Sequence, residues 1–67
     1  MYIVKEISNT FFPRTVATVE TLPEAIRNIR GKIYQIEEDQ HFPDHYDIIT
    51  WQGDQFVIEP HKEKNNA

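Results

Sequence analysis

Thr21-Leu22-Pro23-Glu24-Ala25-Ile26-Arg27-Asn28-Ile29-Arg30-Gly31 is the stretch whose reading decides the fold, because its start, its buried side and its end are all written in residue types. Thr21 offers an N-cap oxygen, and Glu24 three residues on can reach back to the Thr21 amide as a capping box. Leu22, Ala25, Ile26 and Ile29 follow the i, i+3, i+4, i+7 spacing that gathers four apolar side chains on one side of a helix. That side has to be buried against something. Pro23 is tolerated because first-turn amides have no partner within the helix, and Gly31 can take the left-handed conformation that ends one. Arg27, Arg30 and Lys32 stand near the negative end of the helix dipole. The spacing predicts about ten helical residues, only ~15 Å of helix.

Outward from this helix the pattern is one of strands. Before it, Tyr2 to Ile7 and Thr15 to Glu20 are rich in β-branched and aromatic residues, with a turn over Ser8 to Pro13 between them, so they read as a hairpin. After it, the alternation of Ile33, Tyr34 and Ile36 marks a third strand. Tyr46 to Trp51 and Gln55 to Glu59 mark two more, and Gly53-Asp54 between them favours a tight primed turn. Pro60 stops the last strand, leaving 61–67 as a polar, frayed tail beyond a single domain over 1–60. The expected fold is α+β: a mainly antiparallel five-stranded sheet with one short helix in the order β-β-α-β-β-β.

A helix this short covers two or three strands and leaves part of the sheet bare. Either the sheet curls toward a partial barrel, or an apolar patch remains for another chain, with Tyr2, Val4, Tyr34 and Trp51 as the residues to line it.

Size and charge narrow the function classes. Sixty-seven residues without cysteine allow a small core, no disulfide and no thiolate metal site, so stability rests on packing or on a partner chain. Eleven acidic against seven basic side chains, a formal charge of −4, is the wrong sign for a nucleic-acid binder. No run approaches a membrane span, and Met1 leads into a strand pattern rather than a leader. A cytoplasmic protein with no membrane partner is expected.

Catalysis needs a nucleophile or an acid/base pair held in a concave site. With Ser8 as the one serine, two glycines and no cysteine, no such constellation or phosphate loop can be composed, so no enzymatic activity, cofactor or small-molecule substrate is expected. The sharpest cluster is Asp39, His41, Asp44, His45 and Asp47. His41, Asp44 and His45 are of the types that hold Zn²⁺ or Ni²⁺, but Pro43 denies the helix that would put both imidazoles on one face, and a solvated acidic loop is the plainer reading. A basic side formed by Arg27, Arg30 and Lys32 is the corresponding nucleic-acid alternative, opposed by the acidic block of Glu37, Glu38, Asp39, Asp44 and Asp47.

What remains is the surplus of aromatics. Phe11, Phe12, Tyr34, Phe42 and Trp51 fall in or beside predicted loops and cannot all enter so small a core, and exposed aromatics ringed by polar groups are what protein interfaces use. The expected function is a non-enzymatic interaction module, an inhibitor, adaptor or self-associating subunit of the kind phages and mobile elements carry. Its partner would be a protein with a basic surface or a second copy.

Overall fold

The computed structural model describes residues 1–7 and 12–61. Five strands and one helix run in the order β1 (Tyr2–Glu6), β2 (Arg14–Val19), α1 (Leu22–Arg27), β3 (Ile33–Glu38), β4 (Tyr46–Thr50), β5 (Gln55–Pro60). All strand pairs are antiparallel, in one sheet of order β2-β1-β5-β4-β3. This is the α+β fold expected from the patterning.

The helix begins as its residues dictate. The Glu24 amide donates to Thr21 Oγ1 at 3.4 Å and the Thr21 amide donates to Glu24 Oε1 at 3.2 Å, so two first-turn donors are satisfied reciprocally. It ends sooner than its spacing predicts, after six residues. Asn28 is the cap: its amide donates to the carbonyls of Glu24 and Ala25, and its side-chain Nδ2 takes the Glu24 carbonyl at 2.8 Å. A side chain that competes for the last carbonyls closes the helix one turn before Gly31. Ile29 is buried from the following turn, 7% exposed, so the i+7 contact survives outside the helix proper. Gly31 does adopt positive φ, +94°, but as a loop residue that redirects the chain into β3.

The sheet does not close into a barrel. Curling would require β2 to meet β3, yet these are its two edges. One face carries the core: Val4, Ile48, Phe56 and Ile58 lie beneath Ala25 and Ile29, with Tyr2, Val19, Leu22 and Tyr46 packed around them. Val4 is fully buried and Tyr2 half-buried, so neither lines an open patch as expected. Register explains this: Val4 stands opposite both Ala17 and Ile58, in the middle of the sheet and under the helix, which packs on β1 and β2.

One turn and one strand end also depart from expectation. Between β4 and β5 the Gly53 amide donates to the Thr50 carbonyl and the Thr50 amide to the Asp54 carbonyl, both at 2.9 Å. The loop is therefore Trp51-Gln52-Gly53, a three-residue turn with glycine at φ +92°, rather than a two-residue primed turn. Pro60 does not stop the sheet either. It is the last residue of β5, opposite Tyr2, and beyond it the His61 amide donates to the Met1 carbonyl at 2.8 Å; an absent donor costs nothing where the ladder does not use it. The remainder of the predicted tail, 62–67, lies outside the described residues.

Candidate protein interface

The edge strand β3 is exposed along nearly its whole length; only Ile33 is half-buried. Its one neighbour is β4, to which it is joined by the loop over 39–45. Between Ile33 and Gln35 the register slips, and a bulge of this kind increases twist and re-aims a side chain. Here Tyr34 meets Trp51 from the β4–β5 turn, their rings edge to face with centroids 4.5 Å apart. The Trp51 amide donates to the Lys32 carbonyl at 2.9 Å, which anchors that turn to the start of β3. Despite packing on each other, Tyr34 is 56% and Trp51 65% exposed, and Ile36 beside them is 44% exposed on the core side of the sheet, where α1 does not reach.

The structure thus brings two of the five predicted aromatics together. Phe42, 61% exposed, stands at the other end of β3, in the 39–45 loop, with its ring against His45. Phe12, 80% exposed, precedes β2 at the opposite edge of the sheet. Phe11 lies outside the described residues. Sequence reasoning missed Ile36, which it counted simply as part of a strand; the signal was the Glu37-Glu38 pair following it, since charged residues on a strand are a common guard of an exposed edge.

Acidic groups surround the far end of β3. Glu37 stands directly opposite Asp47, an arrangement of like charges that costs stability. The neighbouring loop is built on hydrogen bonds: Asp39 Oδ1 accepts from the His41 and Phe42 amides at 2.7 and 3.2 Å, and Glu38 Oε2 accepts from the Asp44 amide at 3.2 Å. The His41 amide is the chief reason the Asp39 carboxyl titrates below the ordinary aspartate value, since it favours the ionised form. Tyr46 is pushed the other way, first by partial burial and then by the carboxylates of Glu38 and Asp44.

The metal candidates are not assembled. His45 directs Nδ1 to the Pro43 carbonyl at 3.1 Å and Nε2 toward Glu59 on β5 at 4.0 Å, while His41 and Asp44 are exposed. Among the described residues no three of His, Asp and Glu converge on one point. Arg27, Arg30 and Lys32 are all exposed, with Arg27 in the last turn of α1, where it offsets the helix dipole.

Among the described residues no helix or loop element covers the face opposite α1. Ile3, Ile49 and Val57 are half-buried there beside the Lys5–Glu59 ion pair. A shallow, half-open hollow of about 290 Å³ is lined by Ile7, Gln35, Glu37, Asp47, Ile49 and Gln55, at the small end of what ligand pockets occupy. Among the described residues no helix is long and apolar enough to cross a membrane. Comparison with protein-family models, with curated proteins and with solved structures finds no match to this chain.

Proposed function

We propose that this chain is a non-enzymatic protein-interaction module that docks its partner along the β3 edge, with the Tyr34–Trp51 pair as the anchor. The observation that carries the reading is that pair: two large aromatics held in fixed geometry, each more than half exposed. Such rings serve well as interface anchors, because they bury a large area and, being rigid, lose little side-chain entropy on binding. An edge strand adds a second source of affinity, since its outward backbone groups can pair with an incoming strand. The acidic surroundings of Glu37, Glu38 and Asp47 favour a partner segment bearing Lys or Arg and should speed its approach at low salt.

Affinity capture with the parent chain and with the Tyr34→Ala/Trp51→Ala double variant tests this. Chains retained by the parent should be lost from the variant, while its melting temperature stays close to the parent's. Retention of the same chains by the variant would place the docking surface elsewhere, and a large fall in melting temperature would make the pair a structural mini-core instead.

A further inference from the structure

Resting on the β3-edge reading above, we propose that the chain docking there is a second copy of this one, its β3 laid antiparallel beside the first across a two-fold axis. The free edge is defined by the ladder. Asp39 donates its amide to the His45 carbonyl at 2.8 Å, so positions 39 and, by alternation, 37 and 35 bond to β4. Ile36 and Glu38 therefore aim their N–H and C=O groups away from it.

The occupant is identified by charge. β3 is basic where it begins, with Arg30 and Lys32, and acidic where it ends, with Glu37 and Glu38. Antiparallel pairing of two copies sets each basic end on the other's acidic end, giving two attractive contacts related by symmetry, whereas parallel pairing would set like on like. Centred on Gln35, this alignment also places Tyr34 of each copy across from Ile36 of the other, an aromatic facing a β-branched residue. The other edge, β2, also begins with a cation, but Arg14 is already paired with Glu6 at 3.5 Å. Lys32 makes no salt bridge among the described residues. Each copy carries a net charge of −4, which opposes association. The two contacts act across the seam at close range, whereas charge farther from it than the ~8 Å screening length of physiological salt contributes little.

Sedimentation equilibrium of the full chain over a range of concentrations provides the test, with two charge variants, Lys32→Glu and Glu37→Lys/Glu38→Lys. The parent should approach twice the mass of one chain as concentration rises. Each variant alone should remain monomeric, because like charges then meet at both ends. An equimolar mixture of the two should recover the double mass, since every contact is again between opposite charges, and this recovery also shows that both variants fold. A parent that stays monomeric while still capturing another protein through Tyr34 and Trp51 would overturn the second copy and leave the interface reading standing. A double mass that persists unchanged in both variants alone would overturn pairing through β3. A monomeric parent that captures nothing would overturn both readings.

Discussion

Gly53 shows how far one residue can settle a local structure. Its φ of +92° is reserved for glycine in practice, and a Cβ added there would meet nothing within 4 Å. Any loss on substitution is then backbone strain alone: Gly53→Ala should cost about 1 kcal/mol in chemical denaturation without changing the core. Asp39 makes a second prediction at this scale. Its carboxyl is held below the ordinary aspartate value chiefly by the His41 amide, so its folded pKa is depressed. What it contributes is fully present above the unfolded aspartate pKa and is lost as pH falls through the lower, folded value. Followed by carboxyl chemical shift, Asp39 should titrate below the ordinary aspartate value, and the amides of His41 and Phe42 should shift with it. An Asp39 that titrates at the ordinary aspartate value would show that those hydrogen bonds do not form in solution.

At the scale of elements, α1 depends more on its ends than on its length. Six helical residues are far too few for a stable isolated helix, and the Thr21–Glu24 box supplies partners for amides that would otherwise have none. Thr21→Ala should lower stability by about 1 kcal/mol, measured by urea denaturation. Ile26 is only half-buried against the core cluster, so Ile26→Ala should cost about 1–2 kcal/mol, less than a fully buried deletion. In β3 the same reasoning runs in reverse. Its exposed apolar residues contribute little to the isolated fold, and Tyr34→Ala or Ile36→Ala should leave the denaturation midpoint nearly unchanged while weakening association.

For the whole molecule, the decisive feature is that the first and last strands pair with each other. β1 and β5 are neighbours near the centre of the sheet, and Val4 and Ile58 stand opposite each other with both side chains fully buried. A domain of this length holds roughly 3–10 kcal/mol of stability. Ile58→Ala should remove about 2–5 kcal/mol of it, a large share, read as a marked fall in the denaturation midpoint followed by circular dichroism. Little change in that variant would mean the centre of the sheet can collapse around the cavity.

Read by itself, the chain determined the kind and order of its elements, because those follow from neighbours: a capping box four residues long, an apolar side at helical spacing, β-branched runs broken by glycine and proline. It also marked an excess of aromatics over what so small a core can hold. Strand order was decided only in three dimensions, since nothing local to Tyr2–Glu6 says that it will pair with Gln55–Pro60, at the far end of the described sequence. That choice buried Val4 and placed β3 at an edge. It also sorted the aromatics, joining Tyr34 to Trp51 while leaving Phe12 and Phe42 apart from them. Short-range preferences are set by each residue's backbone and its immediate neighbours, whereas exposure depends on which distant surfaces happen to meet.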